Sequence, residues 1–226
     1  MQSVSLLYYI FPAYFYRKNL KSDREKNRFV CAVSGENRNL TVEFSSYNRN
    51  LEANSELFNN VKIWEACRAT SAATTFFEPI KIGRNDQVFL DGATSANNPV
   101  QKLWLEAEEI WGGSLDTKVQ SLISIGTGIG EVAPFGNDFV SIANTFKAIA
   151  IETERTANEF RRGHRHLDDR NAYYRFNVNK GLEKVGLEDA RSRTKIASMT
   201  QAYMTEGETM KALRQFQTAT KATNSM

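Results

Sequence analysis

Cysteine is scarce in this chain of 226 residues, which contains only 2. Cys31 and Cys67 each lie within an apolar or helical pattern, where a buried free thiol is expected rather than a disulfide. This scarcity excludes a disulfide-stapled scaffold. It favours a reducing compartment, so a cytoplasmic location is expected.

The chain also lacks a strong excess of charge of one sign. It has 29 basic and 26 acidic residues mixed along its length, for a formal net charge of +3. A nucleic-acid-binding face is therefore not expected, because such a face clusters lysine and arginine. A weak attraction to anionic membrane surfaces remains open, so the expected location includes peripheral contact with membranes.

No apolar run is long enough to cross a bilayer. The longest candidate, Met1 to Tyr16, is interrupted by Pro12, and a spanning helix needs about 20 apolar residues. Positive charge follows this run at Arg17 and Lys18, whereas a signal peptide carries it before the run. Three interpretations stay open: an interfacial anchor, a strand or helix belonging to an incomplete domain, and unrelated sequence introduced by a gene-model error.

The composition, 41% hydrophobic and 24% charged, is ordinary for a soluble globular protein, and 226 residues are enough for one α/β domain with a sizeable core. We expect an uncertain segment over residues 1–27, one domain over 28–217 and a polar tail over 218–226. Strands are predicted from short apolar or alternating runs at 29–33, 40–44, 88–90, 119–125 and 173–178. Helices are predicted from apolar spacings of three and four at 61–73, 100–111, 139–160 and from 196 onward.

The most informative stretch runs from Val88 to Pro99, where an apolar run stops at Asp91 and small and amide residues follow. It predicts a strand that ends at Asp91, a turn at Gly92, and a helix with Asn98 as its N-cap and Pro99 as its first residue. A carboxylate at the carboxyl end of a strand in an open α/β sheet is a candidate catalytic group. The alternative is an aspartate that only caps its own turn.

Two other groups of residues have competing interpretations. Phe76 and Phe77 are interpreted as core residues, with an acyl-chain pocket as the alternative, and Arg68 as solvated or paired with a carboxylate. His164 and His166 form a His-x-His-x-Asp pattern that can bind metal, but a third strong ligand is missing and arginines surround the pair. We therefore interpret the histidine segment as an exposed basic loop.

Four motifs together resemble the patatin-like phospholipase family, especially its fungal members, over about residues 28–180. They are found at residues 63–79, 91–93, 97–99 and 121–128. The resemblance implies a three-layer α/β/α fold and a lipid acyl hydrolase with a Ser-Asp dyad, acting on phospholipid or acylglycerol at a lipid surface. It implies that Asp91, Gly92 and Ala93 form the aspartate motif, that Asn97 and Asn98 support the turn, and that no metal or cofactor is needed.

One departure from the family pattern limits what can be assigned. The family places a glycine-rich loop and a Gly-x-Ser-x-Gly serine before the aspartate motif, and these 226 residues contain no Gly-x-Ser-x-Gly. The nearest approach, Gly112-Gly113-Ser114, is interpreted as a helix C-cap and loop. The expectation is therefore the C-terminal half of a patatin-like domain with no nucleophile in the chain. The alternative is an inactive remnant that binds lipid or protein.

Overall fold

The computed structural model describes residues 4–6, 27–49, 55–73, 76–112, 115–129, 140–183, 185–186 and 189–223. Its strands are β1 (Val4–Leu6), β2 (Phe29–Ser34), β3 (Thr41–Ser45), β4 (Ile80–Ile82), β5 (Gln87–Asp91), β6 (Val119–Ile125) and β7 (Tyr173–Phe176). Its helices are α1 (Ser55–Asn60), α2 (Ile63–Thr70), α3 (Ala93–Ala96), α4 (Val100–Trp111), α5 (Leu115–Lys118), α6 (Val140–Gly163), α7 (Arg165–Asp169), α8 (Arg193–Met204) and α9 (Gly207–Thr223). The predicted α/β class is confirmed.

The contacts divide the chain into two compact units, and the division falls inside the range 28–217 that was predicted as one domain. One unit comprises Ile10–Pro99, and the other comprises Met1–Tyr9 together with Val100–Met226. The predicted three-layer arrangement and the domain limits stay predictions. No helix in the described ranges has the length and apolarity that crossing a bilayer requires.

The Ile10–Pro99 unit contains an antiparallel sheet with the strand order β3-β2-β5-β4. Strand β2 contributes three consecutive buried residues, Cys31, Ala32 and Val33, as expected of a strand covered on both faces. Helix α2 packs on this sheet through small residues, and Glu65 Oε2 accepts a hydrogen bond of 2.7 Å from Lys62 N at its start. The core contains Ala32, Phe44, Val61, Ile63, Ala66, Ala69, Ile82 and Phe89.

The second unit contains a parallel sheet with the strand order β1-β6-β7. Because Val4–Leu6 pairs with β6, the strand interpretation holds for these three residues. The other predictions for residues 1–26, including the interfacial anchor, fall outside the described residues. The core contains Val100, Trp104, Ala107, Leu115, Val119, Leu122, Phe160, Leu167, Ala172 and Tyr173.

Several predicted boundaries need correction. Helix α6 extends to Gly163, beyond the predicted end at Phe160, and α9 extends past Thr218 to Thr223. Short elements α1 and β4 were not predicted, because six-residue and three-residue segments carry little periodic signal. The C-cap prediction at Gly112 is confirmed, since this residue has φ +65 and its N–H donates to Glu108 O at 2.9 Å.

Candidate active site

Asp91 lies at the carboxyl end of β5, as the sequence predicts. The sheet around it differs from the open parallel sheet on which that prediction relied. Strand β5 pairs antiparallel with β2, where Asp91 faces Ala32, and antiparallel with β4 on its other side. The position of the carboxylate therefore depends on a β-hairpin and on β2 rather than on a parallel crossover.

Two hydrogen bonds hold Asp91 in place. Its Oδ1 accepts a hydrogen bond of 2.7 Å from Ala93 N, and its own N–H donates to Ala72 O at 3.2 Å, just beyond α2. The first bond closes the turn over Gly92, so the capping role of Asp91 is real. It leaves Oδ2 without a bond to the described residues and therefore available to accept a proton.

The surroundings of Asp91 favour its neutral form. Desolvation by burial raises the pKa of Asp91, while the hydrogen bond from Ala93 acts in the opposite direction. A raised pKa brings a carboxylate closer to the range in which it works as a general base near neutral pH. This is the electrostatic property that a catalytic base requires.

Gly92 allows the backbone to pass close to β2. A Cβ at this position would lie 2.2 Å from Cys31 O and 2.7 Å from Cys31 C, both of them backbone atoms. The φ of Gly92 is −64, so it is space rather than an unusual backbone conformation that requires glycine here. The turn after Asp91 is thus packed against the carbonyl of Cys31.

The residues after Gly92 form structure that was only partly predicted. Ala93 begins the short helix α3, which was not predicted, and Asn97 is its C-cap. The predicted helix start at Asn98-Pro99 is displaced by one residue, because α4 begins at Val100. Asn98 is buried and Asn97 is exposed, so the two amides lie in different surroundings.

No serine or threonine hydroxyl hydrogen-bonds to the Asp91 carboxylate within the described ranges. Two described hydroxyl groups near the site in sequence have other partners. Ser95 Oγ lies 2.8 Å from Thr41 Oγ1, and Ser71 Oγ donates to Cys67 O. The described part of the site therefore presents a base without a nucleophile beside it.

The residues upstream of β5 are arranged differently from the prediction. Phe76 and Phe77, which were interpreted as core residues, are exposed, and so is Trp64, whereas Ile63, Ala66 and Ala69 are buried. Arg68 neither pairs with a carboxylate nor extends freely into solvent, since its Nη2 donates to Glu78 O at 2.5 Å. These side chains border the segment that holds Asp91. Cys31 and Cys67 are free thiols, as predicted.

The fourth motif, residues 121–128, lies in the unit that contains Val100–Met226, and its glycines follow β6. Gly126 N donates to Phe176 O at 2.8 Å, and Gly128, with φ +101, donates to Asn177 Oδ1 at 2.7 Å. Asn177 Nδ2 in turn donates to Glu154, which also pairs with Arg175 at 2.7 Å. The positive φ of Gly128 is a backbone conformation that favours glycine, and side chains that the sequence analysis did not single out hold this segment.

The histidine segment is helical rather than a loop, which corrects the prediction, although most of its residues are exposed as expected. His164 lies between α6 and α7, where its ring stacks on Phe160 at 4.2 Å and lies 4.5 Å from the ring of Trp104. His166 Nε2 lies 2.6 Å from Asp116 Oδ1 on a more exposed surface. Among the described residues, no group of three or more His, Cys, Asp or Glu side chains could hold a metal ion.

The two histidines predict different effects on stability. We expect His164→Ala to lower the free energy of unfolding by about 1–2 kcal/mol, because it removes two aromatic contacts. His166→Ala serves as the control and should cost less than about 0.5 kcal/mol, as expected for an exposed pair. Urea unfolding of both variants measures the difference, and equal losses would contradict the structural role assigned to His164.

Comparison with known proteins adds one finding. Residues 3–104 match the family model described as Patatin-like phospholipase. No curated protein matches the chain. The match includes Asp91 and starts well before residue 28, where the resemblance was expected to begin; it ends before Gly126. It indicates lipid acyl hydrolysis in general terms.

Proposed function

We propose, from the premise that this chain is a patatin-like family member over residues 3–104, that it belongs to a lipid acyl hydrolase in which Asp91 is the general base. The observation that carries the proposal is the geometry of Asp91. Its carboxylate is partly buried at the end of β5, with Oδ1 engaged by Ala93 and Oδ2 free of the described residues. A turn cap alone does not require partial burial of the carboxylate.

The proposed reaction is hydrolysis of an ester of phospholipid or acylglycerol. Asp91 Oδ2 accepts the proton of a serine hydroxyl as the serine oxygen forms a bond to the ester carbonyl carbon. The tetrahedral intermediate collapses, the carbon–oxygen bond to the alcohol breaks, and the alcohol leaves with the proton. Water then adds to the acyl-serine with Asp91 again as the base, which releases the fatty acid and restores the serine.

The serine of this dyad is proposed to come from polypeptide outside these 226 residues, because the sequence contains no Gly-x-Ser-x-Gly. The direct test is to map the transcript that encodes the chain and look for an in-frame Gly-x-Ser-x-Gly upstream of Met1. Expression of that longer protein should give esterase activity that a serine-to-alanine change abolishes. A transcript with no such motif would support the alternative, an inactive remnant that binds lipid or protein.

The 226-residue chain by itself should show no ester hydrolysis. We expect hydrolysis of p-nitrophenyl butyrate by the 226-residue protein to equal that of an Asp91→Ala control, because a base without its nucleophile cannot form the acyl-enzyme. Initial rates at several protein concentrations provide the measurement. A rate that scales with the parent protein and disappears in the Asp91→Ala control would show that another residue of this chain acts as the nucleophile.

We also propose a cytoplasmic location with peripheral contact at membranes. Two observations support it. The two cysteines are free thiols, which persist in a reducing compartment. The family match points to lipid substrates in general. Fractionation of cells that express the full-length protein tests this proposal.

A further inference from the structure

Three aromatic side chains of the Ile10–Pro99 unit are exposed, and two of them, Phe76 and Phe77, were interpreted as core residues. Trp64 is 41% exposed, Phe76 38% and Phe77 56%. The same unit buries Phe44 and Phe89 almost completely, so its core does accept aromatic rings. Trp64, Phe76 and Phe77, together with Arg68, are called the aromatic edge below.

Arg68 connects the members of the aromatic edge. It lies one helical turn after Trp64 on α2, so the two side chains occupy the same face of the helix. Its guanidinium carbon lies 5.2 Å from the ring centroid of Phe77, and its Nη2 donates to Glu78 O at 2.5 Å. The arginine therefore holds the turn that contains both phenylalanines against the end of α2.

One donor group of Arg68 makes no hydrogen bond to the residues that the structure describes. This group, Nη1, is buried. An unsatisfied donor on a charged group is costly when buried, and a side-chain movement that brings the donor to an anionic oxygen outside the protein would remove that cost. A guanidinium with aromatic rings beside it suits a phosphate group next to apolar chains.

The aromatic edge is connected to Asp91 by backbone hydrogen bonds. Phe76 N and Phe77 N both donate to Ala73 O at 3.0 Å, and the neighbouring Ala72 O accepts the bond from Asp91 N at 3.2 Å. The turn that presents the phenylalanines is therefore held by the same short segment that holds the proposed general base.

We propose that the aromatic edge is a contact surface for a phospholipid bilayer. Trp64, Phe76 and Phe77 would enter the interfacial region, where aromatic rings are favoured, and Arg68 would bind a lipid phosphate. The exposed charges of the neighbouring Glu78 and Lys81 offset each other, so the guanidinium gives the surface its net positive charge. The choice of a lipid rather than a protein as the occupant rests on the proposed function, since the surface adjoins a site assigned to lipid esters.

Vesicle binding of the 226-residue chain tests the proposal without any turnover. Flotation with vesicles of phosphatidylcholine and phosphatidylserine should show binding, and Phe76→Ser/Phe77→Ser should weaken it about tenfold or more because two rings no longer insert. Arg68→Gln should weaken it about fivefold. Leu40→Ser is the matched control, because Leu40 is 51% exposed in the same unit but lies outside the edge, and its binding should equal that of the parent.

A second measurement uses the parent protein and does not depend on the folding of the phenylalanine variant. Vesicles with brominated acyl chains should quench the fluorescence of Trp64, and the quenched component should be missing in Trp64→Phe. The buried Trp104 and the partly buried Trp111 should contribute little to this component. Unquenched Trp64, or equal binding by the phenylalanine variant and the parent, would overturn the proposal.

The outcome is separable from that of the proposed function. Asp91→Asn should bind vesicles as the parent does, because Asp91 acts in chemistry rather than in contact with the bilayer. Edge-dependent vesicle binding together with a longer protein that shows no Asp91-dependent hydrolysis would refute the hydrolase and leave the bilayer surface standing. Hydrolysis with no edge-dependent binding would refute only the surface.

Discussion

Asp91→Asn is expected to lower kcat by about a hundredfold or more in the longer protein that carries the serine. Asparagine has nearly the same size as aspartate, and its side-chain oxygen can still accept the hydrogen bond from Ala93 N. It cannot take up the serine proton. The change therefore removes the base and keeps the turn, which separates the catalytic role from the capping role. Steady-state ester hydrolysis measures it.

The stability of the same variant provides the second half of the test. Burial raises the pKa of Asp91, so the native state binds this proton more tightly than the unfolded chain does. Stability gained from that proton is present below the unfolded pKa and is lost as the pH rises through the folded pKa. Near neutral pH the parent therefore keeps a desolvated charge that asparagine lacks, and Asp91→Asn should melt at the same temperature or slightly higher.

Asp86→Asn is the matched control for this substitution. Asp86 lies in the turn between β4 and β5 with φ 50, a conformation that asparagine adopts readily. We expect its activity and melting temperature to equal those of the parent. If Asp91→Asn retained activity within severalfold at unchanged stability, Asp91 would be only a turn cap and the proposed mechanism would be wrong.

The parts of the fold that the sequence predicts are those with a local cause. Strands β2 and β6 follow from short apolar runs, and α4 follows from an apolar stripe that ends at Gly112. The end of β5 at Asp91 is local as well, because a carboxylate and a glycine interrupt the apolar run. Such signals depend only on residues that are close to one another in the chain, so the sequence alone is enough to detect them.

The partners of these elements could not be predicted in the same way. The sequence of β5 is equally compatible with parallel and antiparallel pairing. Only its observed pairing with β2 and β4 shows that both of its neighbours are antiparallel. A turn signal at Gly83 to Asp86 between two short apolar runs could have revealed the β4–β5 hairpin. Phe76 and Phe77 were assigned to the core because a pattern marks side chains as apolar and does not state whether another element covers them.

The candidate site also contains one part that the local sequence predicts and another part that depends on tertiary packing. Asp91 itself was predicted from its position after the strand, whereas two neighbouring carbonyls could not be found from sequence: that of Ala72, which accepts the N–H of Asp91, and that of Cys31, which lies against Gly92. They are backbone atoms, which every residue possesses, and they reach the site only through tertiary packing. The raised pKa of Asp91 follows from that packing, so it too became visible only in the structure.

Gly92→Ala is expected to destabilise the protein more than alanine at the other glycines whose surroundings are described, because its new Cβ would meet backbone atoms rather than movable side chains. The new Cβ would lie 2.2 Å from Cys31 O and 2.7 Å from Cys31 C, so relief requires the backbone of β2 or β5 to move. Overpacking against side chains typically costs about 1–3 kcal/mol, and contact with a paired strand should cost about 3 kcal/mol or more. Thermal unfolding should show a fall of about 10 °C or more.

Gly163→Ala is the control, because its added Cβ would meet no described atom within 4 Å outside its own helix backbone and chain neighbours, and it belongs to the last turn of α6. Alanine is the better helix former, so this variant should melt at the parent temperature or slightly above. In the longer protein, Gly92→Ala should also lose activity below its melting point, because a displaced turn takes the Asp91 carboxylate out of position. A Gly92→Ala protein as stable as Gly163→Ala would show that β5 does not approach Cys31 as closely as described, and the geometry proposed for Asp91 would fail with it.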